Sequence, residues 1–518
     1  MSTNVCRVNH LLRALGPAAP LADVLGLDEA IEHCLCTILG GPIRGLPLER
    51  ASLGVRDGGL GLRRAQESQL PAFLASRTEA RSLATDLASS LPDELQASLF
   101  ASWDADVAAA LSKWQEELGP GTGAAAVQLL SAGASRAQRR VWRLAGDLPA
   151  NLAPASVTRE QLQQSLLAPM GAEDPECPGS HVCNLQTQLC DIASGAKVAS
   201  IRDAYAGLPG GWSDIRMLDD LCARESDHTW LWLFGTNGGP HISKSDFCTA
   251  VRLRIGADVV PPEHCCACCG TAMGAGGKHA LLCAPGESTR GHYAVTAVVH
   301  VLASLADPSS CSEPLGLVPS RPALRPADVL TSAAFSHLAA LDVCVASPDA
   351  GGAGTDACAA GAVRKADQYK DILAELQEEG YTYHPLVWSA WGRPGHQALS
   401  AVRTLAAAVA RRRGLGDAQA LEARARGLIG AAIWKRAASM VRICLNRPTR
   451  VDAAELLAEC CLADADYCAD EDALQPAAGE LAGTAAAAFA ATGSWGDASA
   501  AGAAGTAVGS AAAAPGVG

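Results

Sequence analysis

Apolar residues recur at roughly helical spacing from Val24, Leu25 and Leu27 to Leu39 and again from Leu70 to Leu99, so residues 1–165 read as a helical region. Gly40-Gly41-Pro42 closes the first stretch, since glycine and proline punctuate a helix. The glycine-rich run Gly54 to Leu62 follows no clear strand and precedes no Lys-Ser/Thr pair, so it meets neither phosphate-loop template and reads as a tight turn entering a helix. Pro169, Pro175 and Pro178, with Gly171 and Gly179, mark a linker over 166–181. A second helical region follows over 182–290. Beyond it the period changes: a helix over His292–Leu305 gives way to short Val/Leu-rich strands at Arg325–Thr331 and Leu338–Ala346. Asp356 then caps a helix running to about Glu379 and stopped by Gly380, with Ala362, Lys365, Tyr369, Ile372 and Leu376 as its inward stripe. A last strand covers Tyr383–Trp388. The expected class is α+β, with a mixed central sheet in a domain over 291–400, and a helical pattern resumes over 401–450 (Val402, Leu405, Val409, Ile429, Ile433).

Length and composition refine this picture. A chain of 518 residues is too long for one compact core and suggests two or three domains. The stretch 481–518 is Ala/Gly/Ser/Thr with almost no charge and is expected to be disordered, because it has too little to bury. Twenty cysteines do not make a secreted disulfide scaffold here, since Met1-Ser2-Thr3-Asn4-Val5 has no export-signal build. The longest apolar run, Ala294 to Ala306, is broken by His300 and too short to span a bilayer. The expectation is an intracellular protein, nuclear or cytoplasmic, with no membrane partner.

The net charge of −13 argues against a nucleic-acid partner until its distribution is read. Arg393 to Arg450 holds twelve Lys/Arg against the two acids Asp417 and Glu422, whereas 451–480 holds nine acids and no base. Candidate phosphate contacts are Arg252, Arg254, Lys278 and Arg290 around the cysteine-rich segment, the triplet Arg411, Arg412 and Arg413, and Arg393 and His396 beyond the last strand. Trp230 and Trp232 offer stacking surfaces, yet their apolar neighbours point to core.

Two groups carry candidate chemistry. Cys266-x-x-Cys269-Gly270 with His279-x-x-x-Cys283 has the spacing of a tetrahedral zinc site, and Gly270 permits the bend that swings both thiolates inward. Cys265-x-x-Cys268 is a second register, with His264 adjacent. Downstream, Asp328 and Asp342 fall on neighbouring strands and the helical stripe brings Lys365 to the sheet. Two carboxylates to hold Mg²⁺ and a cation to stabilise charge are what phosphodiester hydrolysis needs.

The order helix, strand with Asp328, strand with Asp342, helix with Lys365, strand resembles the restriction-endonuclease-like PD-(D/E)XK fold. Further residues sharpen the likeness: the knuckle with His279-Ala280-Leu281-Leu282-Cys283, then Gly291-His292, Glu313-Pro314, Arg325-Pro326-Ala327-Asp328-Val329, Leu341-Asp342-Val343, Lys365 to Tyr369, and Pro385-Leu386-Val387. Together they resemble the C-terminal half of non-LTR retrotransposon polyproteins, in which a zinc knuckle precedes an endonuclease that nicks target DNA. Leu46-Pro47-Leu48 through Gly58-Gly59-Leu60-Gly61-Leu62-Arg63 is similar to the helical region after the reverse-transcriptase palm of such elements. The resemblance covers most of residues 1–450. It implies Asp328 and Asp342 as metal-binding carboxylates, Lys365 as a displaced catalytic lysine, Glu313 as a supporting acid, and DNA and element RNA as partners. The lysine normally two places after Asp342 is replaced by Cys344, and Ser389 stands where relatives often carry a carboxylate. Asp219-Asp220 lies in a helical, Leu-rich context, so no polymerase core is expected. A second reading keeps the same residues as a catalytically dead, zinc-stabilised nucleic-acid-binding remnant.

Overall fold

A computed structural model of the chain describes residues 9, 11–131, 185–233, 242–261, 263–284, 287–333, 335, 337–349, 356–414 and 417–445. The expected linker 166–181, acidic segment 451–480 and low-complexity tail 481–518 lie outside these residues, as does the stretch 132–165 of the expected N-terminal helical region. The described residues belong to one compact unit that combines helices with a small mixed sheet. None of its helices is long and apolar enough to cross a membrane.

In the N-terminal part, α1 (Leu21–Leu39), α2 (Leu46–Ser52), α3 (Ala65–Ala88) and α4 (Asp93–Leu118) follow the helical spacing. Gly40 ends α1 in the left-handed conformation at φ 74°, with its N–H on the Cys36 carbonyl. Phe73 and Leu74 of α3 and Trp114 of α4 pack with Leu189 of α5 (Leu185–Ala206) in a core of their own. The glycine-rich run between α2 and α3 is a turn. A Cβ on Gly59 would stand 2.2 Å from the Leu53 carbonyl oxygen, so only glycine lets the chain fold back there.

After α6 (Trp212–Cys222) and α7 (Lys244–Arg254) comes α8 (Glu287–Ala306), longer than the expected helix. A four-stranded sheet follows in the order β1 (Cys311–Ser312), β2 (Val329–Thr331), β3 (Leu338–Ala346), β4 (Tyr381–Ser389). The β1–β2 and β2–β3 pairings are antiparallel and β3–β4 is parallel. The β2 ladder begins at Val329, later than expected, although the Asp328 N–H already bonds to the Leu341 carbonyl at 2.9 Å. Pro385 sits opposite Asp342 in β4, where an edge strand tolerates its missing donor.

The single helix expected between β3 and β4 is two, α9 (Ala357–Tyr369) and α10 (Leu373–Glu378). Asp356 caps the first by accepting from the N–H groups of Cys358 and Ala359. At the break the Ile372 N–H turns back to Tyr369, which re-aims the chain while Tyr369, Ile372 and Leu376 stay in one apolar cluster with Ala340 of β3.

The basic segment becomes α11 (His396–Arg413) and α12 (Ala418–Cys444), and its apolar faces are core. Trp434 of α12 stacks on Trp230 with centroids 5.0 Å apart and meets Trp391 at 5.7 Å. Gly427 allows the close approach, since a Cβ there would stand 2.7 Å from Leu233 Cδ1. The same cluster takes in Cys266, Met273 and Ala280, so the cysteine-rich segment is anchored on α12.

Candidate functional site

The loop from His264 to Ala272 is a tight hairpin. Cys266 N–H bonds to Thr271 O at 2.8 Å, Gly270 N–H to Cys266 O at 2.8 Å, and Cys265 bridges Ala272. Gly270, at φ 75°, supplies the left-handed residue this turn needs. Opposite it, His279 and Cys283 stand one helical turn apart, with Cys283 N–H bonded to His279 O. Cys269 Sγ lies 3.2 Å from His279 Nε2 and Cys266 Sγ 3.7 Å from Cys283 Sγ. The ligand atoms of Cys266, Cys269, His279 and Cys283 all fall within 4.8 Å of one another, so the set can hold a metal ion. This is the Cys266/Cys269 register; Cys265 and His264 take no part.

The thiols of the set differ in their electrostatics. Burial pushes the Cys266 thiol up, but backbone N–H groups of Cys268 and Cys269 outweigh it and bring it down to about 7. Cys283, hydrogen-bonded to Cys269 and Cys266, is pushed up to about 12. Neighbouring thiolates repel, so all three ionise together only around a positive charge.

The second cluster straddles the sheet. Strand periodicity puts Asp342 on the same face as Ala340 and Cys344, the face that α9 covers, and Lys365 of α9 donates to Asp342 Oδ1 at 2.9 Å. Tyr383 of β4, paired with Ala340 and so diagonal to Asp342, donates its hydroxyl to Oδ2 at 2.5 Å. Asp328 accepts from the Val343 N–H at 2.6 Å on Oδ2, and its Oδ1 lies 3.2 Å from His292 Nε2 of α8. Lys365 therefore meets Asp342, while Asp328 is held on the backbone N–H of Val343, the residue after Asp342. Burial works against the charge on Lys365, but its bond to Asp342 holds it protonated above its ordinary range. Burial against the same carboxylate pushes Tyr383 up, so it stays a donor. Burial pulls His292 down, and its hydrogen bond and attraction to Asp328 overcome this and raise it. Glu313 is adjacent through its N–H, bonded to Asp328 O at 2.8 Å, but its carboxylate is ion-paired with Arg325.

Two carboxylates suit a Mg²⁺ that keeps its remaining positions for water and phosphate. Each oxygen of Asp328 and Asp342 already accepts one bond and retains a lone pair. Among the described residues, groups of three or more His/Cys/Asp/Glu donors within 4.8 Å occur only around the cysteines.

Several expected nucleic-acid contacts are placed elsewhere. Arg254 is wholly buried, donating to the carbonyls of Gly59 and Val55, with His228 Nδ1 3.3 Å away. It ties the glycine-rich turn to α7 and is out of reach of any phosphate. Arg393 is taken up by ion pairs of 2.6 Å each with Asp220 and Asp356. Arg252 donates to the Asp258 carbonyl, and Lys278 pairs with Asp214 at 2.8 Å. Exposed candidates are Arg290, His396, and Arg411, Arg412 and Arg413 in the last turn of α11. Trp230 is core, whereas Trp232 is 56 % exposed, against expectation, because a four-residue helical turn buries only one side. Ser389 is buried, its Oγ accepting from the N–H groups of Trp391 and Arg393, and so serves the turn after β4. Asp219 and Asp220 lie on α6, paired with Arg202 and Arg393 respectively.

Sequence reasoning missed three residues. Tyr383 had a signal, since its parity matches Pro385 opposite Asp342, and His292 opened an expected helix, but nothing in the chain pointed Cys444 at the cysteine loop. A cavity of about 630 Å³ at the end of α1, lined by Glu29, Glu32, His33 and Arg44 among others, shares no residue with either cluster. No family model, curated protein or solved structure matches this chain.

Proposed function

We propose that this chain is a retroelement-derived protein whose zinc knuckle and restriction-like domain bind DNA and nick it with Mg²⁺. One observation carries this reading: Lys365 bonds Asp342 on β3, and Asp328, just before the adjacent strand β2, accepts from the next residue Val343, after helix α8 and before a parallel edge strand. That order and that trio suit a nuclease in which Asp328 and Asp342 hold Mg²⁺. The bound ion would polarise the phosphate and lower the pKa of an attacking water. Lys365 is positioned to donate to developing charge on the phosphate, His292 fixes the orientation of Asp328, and Tyr383 that of Asp342. Three thiols and an imidazole are the donor set of structural zinc. The exposed Arg411, Arg412 and Arg413 would meet the DNA backbone.

The test is nicking of a supercoiled plasmid with and without Mg²⁺. Wild type should nick only with the metal, and Asp342→Asn should lower the rate on the order of a hundredfold or more, as loss of a metal-binding charge does. Equal cleavage by both proteins sinks the reading. A second reading, a non-catalytic DNA-binding module, is favoured by one observation: Asp342 is only 3 % exposed and both its oxygens are engaged. It predicts salt-sensitive DNA binding with bound metal and no cleavage.

A further inference from the structure

The paired cysteines leave a thiol that the four-donor set does not use. Cys268 is not part of that set, and its Sγ lies with those of Cys266 and Cys444 in a second group, all within 4.8 Å of one another. Cys444 is the last residue of α12 and is buried, as is Cys266, whereas Cys268 is exposed. The Ala267 N–H bonds to the Cys444 carbonyl at 2.8 Å, so the loop is fixed against the end of the helix and the three sulfurs do not meet by chance of a mobile chain. Cys265, exposed and bridged to Ala272, belongs to neither group. The doubled motif is thus divided: Cys266 and Cys269 face His279, and Cys266 and Cys268 face α12.

We propose that Cys266, Cys268 and Cys444 form a second metal site for a soft, thiophilic cation of the zinc and copper(I) kind, with Cys266 as a thiolate shared between the two ions. Metal–sulfur bonds of about 2.3 Å place coordinated sulfurs roughly 4 Å apart, so the observed grouping closes onto an ion with sub-ångström shifts. Three sulfurs without oxygen select soft cations over Mg²⁺ or Ca²⁺. A helix C-terminus carries partial negative charge and favours a cation, so the end of α12 adds to the attraction. Exposed Cys268 gives the ion a way in. Once bound, it staples the hairpin to the helix that runs through the main core.

The full-length chain, reduced and loaded with Cd²⁺ as a thiophilic probe, tests this by metal content per chain and by ¹¹³Cd NMR. Wild type should hold two equivalents with two resonances. Cys268→Ser, at an exposed position that does not threaten folding, should lose one equivalent and keep the resonance of the four-donor set. His279→Ala should weaken that set and leave the second resonance in place, while Cys265→Ser should retain both. A single equivalent in wild type, or two in Cys268→Ser, overturns the proposal.

Discussion

At the cysteine hairpin, the thiols are bonded to one another, to an imidazole and to backbone N–H groups. At Asp342 the protein supplies its own cation, with Lys365 at 2.9 Å and a phenol on the other oxygen. Both clusters gather groups that repel when ionised, and they solve the problem in opposite ways. The hairpin gathers three thiols and an imidazole with no cationic side chain among them, a set that can hold an ion from outside. The acidic cluster is neutralised from within and holds its geometry without one. The two clusters therefore differ in their partners: the thiol set includes no side-chain cation, whereas Asp342 has Lys365.

Removing metal should separate them most. Binding of a structural zinc contributes on the order of 10 kcal/mol in small zinc modules. Chelation should therefore open residues 264–283 to amide exchange while the β3–β4 ladder stays protected. Equal deprotection of both would mean that the sheet depends on the ion too. The next largest effect inverts the logic. Lys365→Met leaves Asp342, a buried carboxylate, without its cation and with the Tyr383 hydroxyl alone, and breaking a buried pair from one side costs about 3–5 kcal/mol. Lys365→Met with Asp342→Leu should recover most of that loss in urea unfolding, since it removes the orphaned charge as well. A double variant as unstable as the single one would show that the lysine matters for packing alone.

The sequence carried these clusters unequally. Metal-ligand spacing is local, so a CxxC turn with its glycine and a His-x-x-x-Cys turn could be read without any knowledge of the fold. Asp328, Asp342 and Lys365 needed strand parity and a helical stripe, both periodic and therefore legible. What was not legible came through contacts between distant elements. Cys444 reaches the hairpin only because α12 packs through the core, and His292 meets Asp328 only because α8 lies against the sheet. The charge count misled for a related reason. Arg254 and Arg393 are basic in composition, yet tertiary packing spends one on backbone carbonyls and the other on Asp220 and Asp356.

Acid offers the finest test, because it acts on the hairpin through its ligands and on the rest of the core through His228. Protons compete with a metal for thiolate and imidazole, so the hairpin should loosen as pH falls. Burial and the neighbouring Arg254 push His228 down to about 3 from its ordinary 6.5. The unfolded chain takes up that proton near 6.5 and the folded chain does not until about 3, so the stability present above 6.5 is lost as pH falls between them. By pH 5 this amounts to on the order of 2 kcal/mol. His228→Gln removes the titrating group and keeps a polar side chain beside Arg254. It should flatten the acid limb of global stability in urea unfolding and leave the acid opening of residues 264–283 in amide exchange unchanged. If the hairpin's acid response vanished with His228, that response would belong to the core, and the hairpin would not be a separately metal-dependent element.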